Sequence, residues 1–189
     1  MAFTKLDPLI GMVGLGTVDP VAPGVFPAGS GRMSFPQELV QAYDPNLGGG
    51  EFMVVYAPAL LAPGTIVQIN QVLSNGVMTA QAVPWTGTAN ASEPLGVVYQ
   101  AITAGGYGWV QVQGNAVVNV SGAPVAGNPV YWQAAGVVSP TAVAGKQVLG
   151  AKFGSAPGVT IGQGSNAMVL TSTQAIITMQ RSVSQGAIT

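Results

Sequence analysis

Enzymatic chemistry at neutral pH needs acids, bases, nucleophiles or metal ligands, and this chain is short of all of them. It has no histidine and no cysteine, and its 189 residues include five Lys or Arg and six Asp or Glu. That excludes a disulfide framework, a zinc finger, a thiol nucleophile and a Ser-His-Asp triad. Glu51 and Glu93 are the two acids beyond position 50. A glycosidase needs two carboxylates flanking its substrate, and nothing in the spacing of these two brings them together. Glu93 precedes Pro94 in a turn-rich stretch and reads as a solvated loop residue. Gly145-Lys146 lacks the first glycine of a P-loop, with Pro140 in its place, and Gln147 stands where Ser or Thr is required. Gly14-x-Gly16 runs on to Asp19 where a dinucleotide fingerprint needs glycine. Asn90-Ala91-Ser92 and Asn119-Val120-Ser121 fit the glycosylation pattern without a secretory signal to give it meaning. The expectation is a protein with no catalytic residues, no cofactor and no metal.

Aromatic side chains are the remaining recognition chemistry. Trp85, Tyr99, Tyr107, Trp109, Tyr131 and Trp132 could stack on bases or sugars. With hardly any Lys or Arg among them, the phosphate contacts that dominate nucleic-acid affinity have no source. Packing is the better use, because aromatics dominate both cores and interfaces. Trp85, Tyr107 and Trp109 are the candidates for a subunit interface.

The elements that would position these residues divide the chain in two. Seven of its charges (Lys5, Asp7, Asp19, Arg32, Glu38, Asp44 and Glu51) precede position 52, and Glu93 is the one charge between Phe52 and Gly145. Fourteen Gln, eight Asn, thirteen Thr and eleven Ser supply the polarity instead. A chain wetted by amides and hydroxyls has little electrostatic repulsion between copies, which suits a component of an assembly. The most apolar stretch, Phe52 to Val67, is broken by Pro58, Pro63 and Gly64 and is shorter than the roughly 20 residues of a spanning helix. Asp7 and Pro8 interrupt the N-terminus where a signal peptide is unbroken. The reading is neither secreted nor membrane-inserted.

Residues 1–50, ending in the Gly48-Gly49-Gly50 run, read as an extended arm. Nine Gly and six Pro there rule out a long helix or a central strand. One short helix near 35–43 is expected: Ser34 and Gln37 fit a capping box, Leu39, Val40 and Tyr43 share a face, and Asp44-Pro45 stops it. Twenty-two of the fifty residues are apolar, too many for a solvated linker. Ordering them costs about 50–100 kcal/mol, which at about 25 cal/mol per Å² calls for roughly 2,000–4,000 Å² of apolar burial. The arm is therefore expected to fold back on its own domain or lie across a neighbour, with disorder as the remaining alternative, and Phe3, Leu9, Ile10, Met12, Leu15, Phe26, Phe35 and Tyr43 are its candidate contact residues.

Residues 51–189 read as about ten short strands: Thr65–Gln71, Val77–Val83, Leu95–Ala101, Tyr107–Gln113, Ala116–Val120, Pro129–Gln133, Val137–Ser139, Gln147–Phe153, Ala167–Thr171 and Ala175–Arg181. Asn75-Gly76 marks a hairpin and Gly114-Asn115 a second tight turn. Strands at this spacing predict an all-β fold, a small antiparallel β-barrel or sandwich.

The order of the glycine-punctuated segments adds a resemblance. Pro94-Leu95-Gly96-Val97-Val98 leads to a strand pair around Val110, Val112, Gly114 and Val117. Ala126-Gly127-x-Pro129-Val130-Tyr131, Gly136-Val137-Val138 and Leu149-Gly150-Ala151 follow. Over roughly residues 52–180 this resembles the small capsid cement (head decoration) proteins of tailed bacteriophages; residues 1–50 match nothing in that pattern. The resemblance implies a homotrimer on the outer surface of a phage head, clamping neighbouring copies of the major capsid protein after assembly in the host cytoplasm. The competing expectation is another virion module: a tail, a fibre or a glycan-binding adhesin.

Overall fold

A computed structural model describes residues 4–7, 11–14, 39–74, 77–164 and 167–187. The chain is all-β. Among the described residues fourteen strands run in order: β1 (Thr4–Asp7), β2 (Gly11–Gly14), β3 (Leu39–Asp44), β4 (Gly48–Ala57), β5 (Ile66–Ser74), β6 (Val77–Pro84), β7 (Leu95–Val98), β8 (Gly106–Asn119), β9 (Pro129–Ala134), β10 (Val137–Ser139), β11 (Gln147–Phe153), β12 (Thr160–Ile161), β13 (Met168–Val169) and β14 (Gln174–Ser184). Twelve form one sheet, and β12 pairs with β13 in a small separate ribbon.

The large sheet curls into two partial rings that share β8. In the first, β8 pairs with β7, β7 with β5 and β5 with β6. β6 then meets β4 in parallel at Tyr56↔Gln81, and β4 returns to β8. In the second, β8 pairs with β14, β14 with β11, β11 with β9 and β9 with β10. A parallel bridge, Val120↔Val138, brings β10 back to the end of β8. β8 serves both interiors at successive positions along its length. Val110 and Val112 enter the first core with Val55, Val67, Ile69 and Val98. Ala116, Val118 and Val120 enter the second with Trp85, Phe153 and Ile177. The opposite face of β8 gives Trp109 and Val117 to a third cluster with Phe52, Val54 and Leu170.

Several expectations need correction. The helix near residues 35–43 is absent over its described part, where Leu39–Asp44 is β3. Its alternate residues Val40, Ala42 and Asp44 are buried, a period of two. The Asp44 carboxylate serves the following turn: its Oδ1 accepts from the backbone N–H of Asn46 at 2.8 Å and of Leu47 at 3.1 Å. β3 lies between β1 and β4 in the sheet, so the first fifty residues do supply an interior strand. Gly48-Gly49-Gly50, the expected junction, opens β4.

The turn expected at Gly114-Asn115 is also absent. β8 runs through it for 14 residues. Gly114 takes φ +98°, and a side chain there would overlap the Gly49 carbonyl oxygen, so the glycine serves a close strand approach. The hairpin at Asn75-Gly76 is formed: Ser74 pairs directly with Val77, leaving a two-residue loop whose residues lie outside the described set.

Candidate functional site

Where β3, β4, β8 and β14 run side by side, the register aligns Gln41 with Glu51, Glu51 with Gln113, and Gln113 with Gln180. The row crosses four strands and consists of three amides and one carboxylate. Beneath it the seam of the two rings is joined by amide side chains. Gln111 is buried, and its Nε2 donates to the carbonyls of Gln113 at 3.1 Å and Asn115 at 3.0 Å. Asn115 Nδ2 donates to the Leu47 carbonyl at 2.8 Å, while its Oδ1 accepts from Thr178 Oγ1 at 2.7 Å. A neutral amide satisfies several backbone groups here without the desolvation cost of a charge.

The ion pair of this region joins residues 130 positions apart. Arg181 Nε donates to Glu51 Oε2 at 2.9 Å and Nη2 to Oε1 at 3.2 Å, a bidentate arrangement. Arg181 adopts φ +48°, unusual for a residue with a side chain. It lies in a bulge where β14 spends the steps from Met179 to Val183 against Ala151 and Leu149 of β11. The hydrogen bond and then the charge of Glu51 raise the guanidinium pKa above its ordinary value. Glu93 is farther along the same edge. One of its carboxylate oxygens is buried with no partner among the described residues, which differs from the solvated loop expected. Its backbone is fixed to β14: its N–H donates to Ser184 Oγ at 2.7 Å, and its carbonyl accepts from Ser184 N–H at 2.8 Å.

Two clefts flank the ion pair. One, of about 300 Å³, is lined by Gln41, Tyr43, Glu51, Gln113 and neighbouring glycines. The other, of about 220 Å³, lies at the mouth of the first ring and is apolar, with Leu39, Met53, Ile69 and Val112 in its wall and Arg181 at its edge. Exposed apolar side chains border this face: Tyr43 (48% exposed), Leu39 (51%) and Leu73 (67%). Among the described residues no three of His, Cys, Asp and Glu come together as metal ligands would. The face offers apolar contact and neutral hydrogen bonding.

Of the expected contact residues, Tyr43 is on this face. Phe3, Leu9, Ile10, Leu15, Phe26 and Phe35 lie outside the described residues, and Met12 is placed as backbone alone, in β2. The expected subunit-interface tryptophans are corrected: Trp85 (0% exposed) and Trp109 (5%) are consumed by the chain's own cores. Trp132 packs against Gly87 and under Lys146, whose Nζ is 4.1 Å from the ring centroid. Tyr107 is half-buried, its ring centroid 5.4 Å from that of Tyr56. The residues missed are Leu39, Leu73, Gln111 and Arg181. Leu73 had a signal in the sequence, since a two-residue turn at Asn75-Gly76 sets it opposite Met78; the Glu51–Arg181 pair had none. Comparison with known proteins finds no family model and no curated relative that matches this chain.

Proposed function

We propose that this chain is a structural protein of a phage particle: a capsid cement protein that binds the outer surface of the head and stabilises the shell. The observation carrying this reading is the face just described. It presents Tyr43, Leu39 and Leu73 around neutral amides, and its one guanidinium is already matched by Glu51. Such a surface gains free energy by burial against protein, at about 25 cal/mol for each Å² of apolar area removed from water. It offers little to a phosphate backbone, which needs several unmatched cations. The resemblance of the glycine-punctuated segments across residues 52–180 to capsid cement proteins supports the same reading and implies the major capsid protein as partner.

The mechanism is mass action. A protein that binds the assembled shell but not its dissociated subunits stabilises the shell, by about 2.7 kcal/mol per site at a free concentration a hundred times Kd. Burial of Trp85 and Trp109, two of the three tryptophans, counts against the adhesin alternative, because neither offers a ring to a sugar.

The test is to add the purified chain to undecorated heads. The expected result is saturable binding and a higher shell melting temperature, with a glycan array showing no signal. Absence of binding to heads, or binding that leaves the melting temperature unchanged, overturns the proposal.

A further inference from the structure

Three buried oxygens without a hydrogen-bond partner among the described residues lie where β5 and β7 of the first ring meet β14 of the second: Gln68 Oε1, Glu93 Oε2 and Ser182 Oγ. The register brings them to one face. Gln68 is paired with Leu95, and the Ile69 N–H, donating to the Pro94 carbonyl at 2.9 Å, carries the ladder on to Asn70 beside Glu93. On the other side of β7, Glu93 is bonded through its backbone to Ser184, and Pro94 pairs with Val183, so Ser182 follows beside Leu95. Successive side chains alternate. Ile69, Pro94 and Val183 line the apolar cleft. Gln68, Asn70, Glu93, Ser182 and Ser184 take the opposite face with Leu95, at one end of the second core. Ser182 is 2% exposed and Ser184 0%. Gln68 and Glu93 are diagonal neighbours, about 7–8 Å apart at the backbone, a span that two long side chains reach across. The Gln68 side chain leans toward that row, its Nε2 donating to Asn70 Oδ1 at 3.4 Å.

We infer that this cluster binds a monovalent alkali cation, held by the Glu93 carboxylate with the Gln68 carbonyl and the serine hydroxyls around it. The carboxylate is the deciding group. Burying one of its oxygens without a partner costs more than burying a neutral oxygen. Among the described residues no cation of the chain answers it: Arg181 is held by Glu51, and Lys146 stands over Trp132. The available donors are all oxygens, which suits alkali and alkaline-earth ions rather than softer metals. Charge then selects between those two. One carboxylate among neutral oxygens leaves a monovalent ion balanced, whereas a divalent ion would keep an uncompensated charge in a half-dry site. Such a site needs no second acid, in keeping with the lack of any three-residue acid cluster among the described residues. Because its ligands come from β5, β7 and β14, the ion ties the two rings together. It binds the folded chain alone, so stability depends on its concentration. The inference goes beyond the cement reading and is independent of it: a failed response to the cation leaves head binding untouched.

Thermal melting of the full-length protein in sodium or potassium chloride, against choline chloride at equal ionic strength, tests it. An alkali salt is expected to raise the melting temperature by about 2–4 °C once the cation exceeds its dissociation constant about fivefold. The sodium NMR line should broaden when the protein is added. Glu93→Gln keeps the side-chain shape and removes the charge. It is expected to retain the circular dichroism spectrum and to lose both the melting response and the line broadening. Gln68→Met removes one oxygen and leaves the carboxylate, and is expected to need severalfold more sodium for half the effect. Where Glu93→Gln fails to fold, Gln68→Met decides the matter. Equal melting in choline and alkali salts, a response to calcium chloride with none to sodium or potassium, or an alkali response unchanged by both substitutions overturns the inference.

Discussion

The two rings share β8 but are filled differently. The first is packed with aliphatic side chains from Val55 to Val112, with no aromatic residue among the described members of its core. The second is built around Trp85 and Phe153, with Trp132 packed against them. A ring filled by small side chains closes only over its middle layers, and its rim stays open as the apolar mouth near Leu39 and Ile69. The second ring is plugged. Trp85 sits on the chain just past β6, its N–H donating to the Ile66 carbonyl at 3.0 Å. Its carbonyl accepts from Trp132 Nε1 at 3.2 Å and from Gly136 N–H at 3.3 Å. One ring is therefore a closed, plugged body, and the other keeps an open apolar mouth.

The largest test of that contrast is Trp85→Ala. Truncating a fully buried tryptophan costs about 3–5 kcal/mol through lost transfer energy and the cavity left behind. Urea unfolding should show a loss of that size. Trp85→Phe should lose much less, because it also removes an indole N–H that is buried with no partner among the described residues, a group whose burial costs about 1–3 kcal/mol. If Trp85→Ala unfolds at the wild-type midpoint, the second ring is not the stabilising body.

Gly114→Ala asks whether the rings are one cooperative unit. A methyl group there would meet the Gly49 carbonyl oxygen, which is backbone of β4 and cannot move aside, at a φ that favours glycine. The expected cost is roughly 2–4 kcal/mol, combining backbone strain with overpacking. Since β8 belongs to both rings, a single unfolding transition should shift as a whole. Two separated transitions, with the second ring melting where it did before, would show the rings to be independent.

How far the sequence reveals this molecule depends on which forces are local. The strands of the second half and the Asn75-Gly76 hairpin were legible because alternation and turn chemistry act within a few residues. β3 was not: Leu39, Val40 and Tyr43 fit a helical face as well as a strand, and two of the three buried members of the true alternation, Ala42 and Asp44, do not read as apolar bulk. Gly114 was misread for the same reason, since glycine at positive φ serves a turn and a close strand approach alike, and only the partner strand decides between them. The largely neutral character of the β3–β4–β8–β14 face was legible in composition. The pairing of Glu51 with Arg181 was not, because it depends on four strands coming into register. Burial of Trp85 and Trp109 was also hidden, since a tryptophan in or beside a β-strand suits a core and an interface equally.

The smallest expected effect lies at Tyr107, at the edge of the shared strand. Its phenol is raised above the ordinary value near 10, first by partial burial and then by the neighbouring Tyr56. The folded chain thus holds this proton more tightly than the unfolded chain does. The stability it contributes is fully present below the unfolded pKa and is lost as pH rises through the folded one. The wild type should accordingly lose a little stability above pH 10, and Tyr107→Phe should lose less. Phenolate absorbance should show one of the five tyrosines ionising late in the folded protein, and that late step should vanish in Tyr107→Phe. A late step that survives the substitution would assign it to another tyrosine. A late step that disappears places the Tyr56–Tyr107 pair at a partly dried margin where β4 and β8 meet, and marks how far the shielding of the shared strand reaches toward the solvent.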